Sequence, residues 1–415
     1  MLKSKAMKHL AIVGAGTAGT MMANRLAARL PEREWTITVI DKDLTHIYQP
    51  GLLFLPFGDY DERDLVRDRK MFLPANATLR LDAIERIDAE QRRIQFKGGD
   101  ALTYDVLILS TGSRVVPEAT EGLTGRGWYE DAFDFYTLEG AKHLRDRLAR
   151  WAGGRLVLNV VDMPIKCPVA PLEFLFLADA YFTKTGRRDQ VELVYATPLD
   201  GAFTKPRASA MLGHLLEEKG IRVEPSFALE SVDGAAKTLK SYDEREVAYD
   251  LLVSVPLHKG SAIVEASGLG DDMAFVPTDK HTLQSKAYEN IFVIGDATDL
   301  PASKAGSVAH FQSEVLTENV VAYVEGRPLP ESFDGHSNCF IETGHDKAML
   351  IDFNYDTEPL PGRFPLPGVG PFTLLEESKI NHWGKLGFKW VYWNMLVRGM
   401  DLPMDHRMLM HGKWS

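Results

Sequence analysis

An α/β fold of two Rossmann-like domains, closed by a C-terminal amphipathic segment, is predicted by three observations. The first is a strand, a glycine loop, a helix and a second strand in direct succession near the N-terminus. The second is a pair of later strand-and-loop segments, YDVLILSTGS (residues 104–113) and NIFVIGDATDLP (residues 290–301). The third is a closing stretch in which basic and aromatic side chains gather. The 415 residues, 45% hydrophobic and 25% charged, are enough for two or three domains with sizeable cores.

The N-terminal elements follow in order. Residues 8–13 (KHLAIV) form a short apolar strand. Gly14, Ala15, Gly16, Thr17, Ala18 and Gly19 make a GxGxxG turn into a helix that runs to about Leu30. WTITVID is the next strand and ends at Asp41, followed by Lys42. Strand, GxGxxG, helix, strand and acid are the dinucleotide fingerprint in its proper context. The glycines allow a tight turn and let backbone approach a pyrophosphate at the helix N-terminus. Asp41 can accept hydrogen bonds from a ribose. The later strands close on Thr111-Gly112 and on Gly295-Asp296, the second ahead of a helix rich in small residues. One discontinuous dinucleotide-binding domain is therefore expected over 1–115 and 285–327. A second Rossmann-like domain is expected over 116–284, and a C-terminal region over 328–415.

The inserted domain lacks the second fingerprint. Its strand at 155–161 leads into Met163, Pro164, Cys167, Pro168 and Pro171, where a pyrophosphate loop would stand. Prolines remove the N–H donors that phosphate binding needs. A nicotinamide donor is not expected there.

Bulk properties exclude several classes. A net charge of −11 argues against nucleic acid. Two cysteines, Cys167 and Cys339, are too few for a disulfide framework. No run of 18 apolar residues offers a spanning helix. MLKSKAMKHLAIVGAG runs straight into the first strand and glycine loop, so no signal peptide is read. No metal site is read either.

The tail departs from the acidic body. From Ser378 onward, six basic residues stand against Asp401 and Asp405, and four of the seven tryptophans lie there. Trp383, Leu386, Trp390, Trp393 and Val397 recur at i, i+3, i+7, i+10 and i+14, one stripe of a helix, with Lys385 and Lys389 opposite. A core helix would show a similar stripe. Tryptophan beside cations fits an interfacial helix better. Gly384, Gly387 and Gly399 suggest that the segment is broken. The tail is expected to be separable: removing 376–415 should leave the dinucleotide domain folded.

Taken together, the three glycine-bearing segments resemble the FAD domain of the two-dinucleotide-binding, glutathione-reductase-like flavoproteins. The likeness covers residues 8–115 and 285–325. KCPVAPLEF followed by AYFTKTGRR, then NCFIETG, LPASKAGSVAHFQ and FKWVYWNMLVRG, resemble the sulfide:quinone oxidoreductases in the same order. The resemblance implies a peripheral membrane enzyme. It would hold FAD, oxidise sulfide to a persulfide or polysulfide, and reduce ubiquinone or another membrane quinone. A homo-oligomer is compatible with it.

The resemblance also implies site roles. Cys167 and Cys339 become a redox pair, with Cys339 nearer the flavin. Thiolate attack calls for low pKa values, which Lys166 and the start of the following helix would favour. Glu173 is either a general base for the sulfur chemistry or a first-turn acid that complements the helix dipole. Gln49 and Ile84 match positions near the dinucleotide. Lys304 and Lys385 match lysines near flavin or quinone, unless they are ordinary surface lysines. Phe340, Trp390 and Trp393 would wall the quinone. Relatives with a third cysteine, upstream of Cys167, have no counterpart in GRGWYEDAFDFYT. Three rivals stand beside this reading. They are the flavin subunit of a cytochrome-linked sulfide dehydrogenase, a type II NADH:quinone oxidoreductase and a non-catalytic redox-sensing flavoprotein.

Overall fold

The computed structural model describes residues 7–366 and 369–414. Five parallel strands form the first sheet, in the order Ile291–Val293, Val106–Leu109, Lys8–Val13, Trp35–Asp41 and Ala77–Leu81. The chain leaves this sheet after residue 109 and returns to it at residue 291. Its central strands are runs of Val, Ile and Leu with almost no exposed surface, as a parallel sheet covered on both faces requires. Helices Thr17–Arg29 and Gly306–Val324 pack against each other within the same core.

A second parallel sheet is built entirely from the intervening chain. Its order is Ala132–Phe133, Leu251–Val255, Gly154–Val160, Val191–Ala196 and Arg222–Glu224. Helix Ala170–Lys184 follows the Cys167 loop. It is apolar nearly all round, and Leu172, Phe174, Leu175 and Phe176 are all fully buried. The α/β class predicted from the sequence is the class observed.

A third sheet, largely antiparallel, joins Ser337–Gly344, Lys347–Phe353, Gly370–Leu374 and Gly362–Leu366, with Glu377–Ser378 paired to Lys347–Phe353. Among the described residues, strand Ser337–Gly344 pairs along one edge only. Its other edge faces helix Ala170–Lys184.

The tail differs from its sequence-based picture in three ways. Helix Lys379–Val391 is continuous through Gly384 and Gly387. Gly384 is there for close approach, since a Cβ would lie 2.5 Å from the Phe372 ring and 3.0 Å from that of Phe340. A π-helical turn, Tyr392–Leu396, then takes over. Its wider winding rotates the following residues, so the tryptophan stripe splits. Trp383 and Trp390 remain 65% and 63% exposed, while Trp393 is 8% exposed. Trp393 stacks on Phe72 at 5.1 Å and meets His46, Tyr48 and Tyr392. The cations also sit differently. Lys385 turns inward to buried Glu173, and Lys389 pairs with Asp64 at the surface.

Nor is the tail separable. The Tyr392 hydroxyl bonds Thr17 Oγ1 at 2.6 Å and His46 Nε2 at 2.7 Å. Asn24 Nδ2 donates to the Val397 carbonyl at 3.1 Å. Leu396 and Val397 are fully buried in the same core as the first sheet. Removing residues 376–415 would strip this core, so the expectation of an intact domain is withdrawn. Trp393→Ala should cost about 3–5 kcal/mol in urea unfolding. Trp383→Ala and Trp390→Ala should each stay within about 0.5 kcal/mol of the parent.

Candidate active site

The glycine loop is shaped as the sequence implies. Gly14 has φ +95°, and a Cβ there would lie 2.5 Å from the Ser110 carbonyl oxygen. At Gly19 a Cβ would meet the Gly14 carbonyl oxygen at 1.9 Å, so this glycine seats helix against loop. Gly16, Gly112 and Gly306 behave differently. A Cβ at any of them meets nothing within 4 Å among the described residues. These three leave backbone bare for a ligand. Thr111 Oγ1 is buried with no hydrogen-bond partner among the described residues. An extended dinucleotide lying across these positions fits the cradle. Asp41 is partly engaged: it accepts from the Ala15 N–H at 2.8 Å and pairs with buried Arg69. Lys42 is exposed, and its N–H donates back to Asp41. Ile84 opens a small antiparallel sheet and packs against the core of Ile87, Ile94 and Phe96.

The two cysteines are tied to one loop, residues 304–307, at the N-terminus of helix Gly306–Val324. The Cys167 N–H donates to the Lys304 carbonyl at 2.8 Å. Ser307 Oγ donates to the carbonyl of Asn338, the neighbour of Cys339, at 2.8 Å. Segments far apart in sequence thus converge beside the bare Gly306. Both cysteines are free thiols, each with some accessible surface inside a near-complete wall of protein. Cys167 holds φ +45°, a left-handed conformation that a residue with a Cβ seldom adopts.

Glu173 and Lys385 complete the cluster. Glu173 lies in the first turn of its helix, fully buried, and forms an ion pair with Lys385. Its Oε1 also accepts the Glu342 N–H at 2.7 Å, and its Oε2 has no partner among the described residues. Lys385 donates to the Phe340 carbonyl at 2.8 Å. Carboxylate and ammonium therefore occupy the unpaired edge of strand Ser337–Gly344, where a neighbouring strand's groups would otherwise sit. Burial pushes the Glu173 carboxyl upward, against the pull of Lys385. Burial alone would lower Lys385, but Glu173, Cys167 and Glu342 together hold it above the ordinary lysine value.

The thiols do not behave as the resemblance implied. Burial, then the Glu173 charge, pushes Cys167 up to about 12, with Lys385 opposing. Burial and then Cys167 push Cys339 upward too. Lys166 is directed elsewhere. Its Nζ donates to Gln49 Oε1 at 3.1 Å, joining the Cys167 loop to the first domain's loop. A reduced pair is therefore held as thiols at neutral pH, because desolvation outweighs the single cation in reach.

The remaining predicted residues divide. Asp296 sits beside the cluster, its carboxyl raised by burial against Lys304 and Lys166. Lys304 is no surface lysine: it is buried, and donates to the carbonyls of Asp296 and Thr298 at 3.0 and 2.7 Å. Phe340 meets Phe372 edge-on at 5.1 Å above Gly384. Trp390 faces outward, and Trp393 is turned into the core. Sequence reasoning missed Glu342 and His382. His382 Nδ1 lies 2.9 and 3.0 Å from the two Glu342 oxygens. Their only sequence signal was His382 standing three residues before Lys385 on one helix face.

Comparison with known proteins agrees with this architecture. Residues 8–160 match the family model described as pyridine nucleotide-disulphide oxidoreductase. The mitochondrial sulfide:quinone oxidoreductase of Dictyostelium discoideum is 27% identical over 403 residues, 96% of this chain and 87% of that protein. The mitochondrial sulfide:quinone oxidoreductase of Mus musculus is 25% identical, covering 94% of this chain and 86% of that protein. This chain resembles the sulfide:quinone oxidoreductases along nearly its whole length. The crystal structure of the enzyme from Aquifex aeolicus shares the fold, with a TM-score of 0.80, 19% identity, and coverage of 95% of this chain and 92% of that one.

The electrostatic coupling has a measurable sign. Glu173→Gln removes a charge that raises Cys167, so the reduced protein's thiolate absorbance should appear at lower pH. Lys385→Met removes the opposing cation, so it should appear at higher pH. Identical titrations in both variants would show that the four groups do not form one cluster.

Proposed function

We propose that this chain is a peripheral membrane flavoprotein that oxidises sulfide with a cysteine pair and reduces a quinone. The observation that carries the reading is the meeting of Cys167, Cys339, Glu173 and Lys385 beside the bare Gly306 turn. Residues 1–115 with 285–327 are taken as the FAD-binding domain, 116–284 as the domain that brings Cys167, and 328–415 as the quinone and membrane region. Gly14, Ala15, Gly16, Thr17 and Gly19 would face the pyrophosphate, with Asp41 and Lys42 toward a ribose. Gln49, Ile84, Thr111, Gly112, Gly295, Asp296 and Lys304 would line the remainder. When bound, the flavin would take two electrons from the sulfur side and supply them to the quinone.

The chain's own residues handle sulfur and protons. In the oxidised pair, HS⁻ attacks one sulfur and the S–S bond breaks. One cysteine becomes a persulfide and the other leaves as a thiolate. Glu173, buried with an unpartnered oxygen, is placed to take the proton from incoming H₂S. Lys385 offsets the negative charge of the departing thiolate, the role its effect on both thiols supports. Phe340 and Phe372 offer an aromatic wall to a quinone.

The inverted helix supports the membrane reading. Helix Lys379–Val391 points His382 and Lys385 inward and Ile380, Trp383 and Trp390 outward, the last three 47–65% exposed. Leu366 and Val369, on the neighbouring hairpin, are 59% and 79% exposed. Tryptophan and aliphatic surface of this kind suits the headgroup–acyl boundary. Among the described residues no helix is long and apolar enough to cross a membrane.

Anaerobic sulfide should bleach the flavin, and Cys167→Ser or Cys339→Ser should abolish the bleaching. Persistent bleaching in either variant would refute the paired-cysteine mechanism. NADH should leave the flavin oxidised, because no second glycine fingerprint follows strand Gly154–Val160; rapid bleaching by NADH would favour the type II dehydrogenase reading. The double variant Trp383→Ala, Trp390→Ala should lose most of its co-sedimentation with liposomes while keeping its melting temperature.

A further inference from the structure

Helix Lys379–Val391 presents three cations to the body at i, i+3 and i+7. They are His382 on Glu342, Lys385 on Glu173, and Lys389 on Asp64. The Lys385 pair belongs to the sulfur site, and Lys389–Asp64 lies at the surface. The His382–Glu342 pair lies between site and solvent. Glu342 is about as buried as Glu173, with 1% of its side chain exposed, while His382 keeps 15%. The pair stands one helical turn from Lys385, about 4.5 Å along the axis. Glu342 also touches the site through its backbone, whose N–H is held by Glu173.

Strand alternation decides which half of the chemistry this pair faces. Along Ser337–Gly344, successive side chains point to opposite faces. Glu342 therefore shares a face with Phe340, the residue proposed to meet the quinone, and not with Cys339. The same face meets the helix, where Phe340 approaches Gly384 and Glu342 binds His382.

Reduction of a quinone consumes two electrons and two protons to give the quinol. Lys385 can release a proton only if another reaches this buried site. We propose that Glu342 and His382 form the proton port of the quinone half-reaction, His382 loading from water and Glu342 handing on to the Lys385–Glu173 pair. The two protons taken up balance the two electrons that sulfide oxidation supplies. The inference rests on the function proposed above and adds two proton-transfer residues to it.

Other charged groups surround the port. His382 faces Glu342, Asp346 and Asp59, and Asp59 in turn faces Lys184. Glu342 faces His382, Glu173, Lys385 and the Tyr60 phenol. The bond to Glu342, against burial, raises His382 above the ordinary imidazole value of 6.5. His382 therefore keeps its deliverable proton to higher pH than an ordinary imidazole, and loses that capacity as pH rises through its raised pKa.

The test is stopped flow on the flavin-loaded full chain bound to liposomes, with sulfide first and a short-chain benzoquinone second. In H382Q and E342Q, bleaching by sulfide should stay within about twofold of the parent while recovery on quinone slows about tenfold. The parent's recovery rate should fall at high pH with an inflection above the ordinary imidazole range. Both variants should lack that inflection, added imidazole should restore H382Q, and E342D should retain most of the rate. Apart from turnover, ¹⁵N-histidine NMR should show the His382 midpoint falling in E342Q. A parent that sulfide does not bleach overturns the sulfide reading, and the port with it. A parent that turns over while both variants recover at the parental rate overturns the port alone. Slowed recovery with the pH inflection intact and no response to imidazole also overturns it, leaving the pair a positioning role.

Discussion

The Glu173–Lys385 ion pair is the constraint on which the rest depends. Three elements from three parts of the chain meet at it: the helix after Cys167, the strand that carries Cys339, and the tail helix. A fully buried carboxylate is tolerated only with a partner and hydrogen bonds, and removing one member of such a pair costs about 3–5 kcal/mol. The pair also satisfies a strand edge, taking the 342 N–H and giving to the 340 carbonyl. One interaction thereby fixes the separation of the two cysteine segments and the angle of the tail. It also sets local electrostatics, since Glu173 raises the thiols that Lys385 lowers.

That docking explains the inverted tail helix. His382 and Lys385 have buried anionic partners on the body, so they turn inward. What remains for the outer face is Ile380, Trp383, Gly387 and Trp390. A helix on a soluble protein ordinarily turns its apolar stripe to the core. This one turns His382 and Lys385 to the core and Trp383 and Trp390 to the outside, which suits a neighbour less polar than water.

The legible part of this molecule was the local part. GxGxxG followed by a strand ending in Asp41 announces its turn through spacing alone, and Gly14 and Gly19 take the tight contacts that glycine permits. The absent second fingerprint was equally plain, because prolines at 164, 168 and 171 cannot donate. Cys167 and Cys339 drew notice by resemblance, not by spacing, since nothing local brings residues 167 and 339 together. Three features stayed hidden for a common reason. The π turn that buries Trp393, the inward path of Lys385 and the raised thiol pKa values all follow from long-range packing. A periodic stripe read on ideal helical geometry cannot register an extra residue in the winding. A lysine next to Cys167 in sequence looked like its electrostatic partner, yet the effective cation came from position 385.

The same packing makes the glycine loop, the cysteine site and the exposed tryptophan face one mechanical body. Tyr392 ends the tail helix and bonds Thr17, the first residue of the helix behind the glycine loop. It also bonds His46, which burial pulls down to about 3, so the contact is between neutral groups and persists across physiological pH. Seven residues earlier on the tail, Lys385 grips Glu173. A displacement of the tail would disturb both contacts, one at the glycine loop and one at the thiols. The cysteine site and the outward tryptophan face are thereby held in fixed register by a helix that is itself part of the core. Such rigidity suits the proposed passage of electrons from sulfide to a quinone dissolved in lipid.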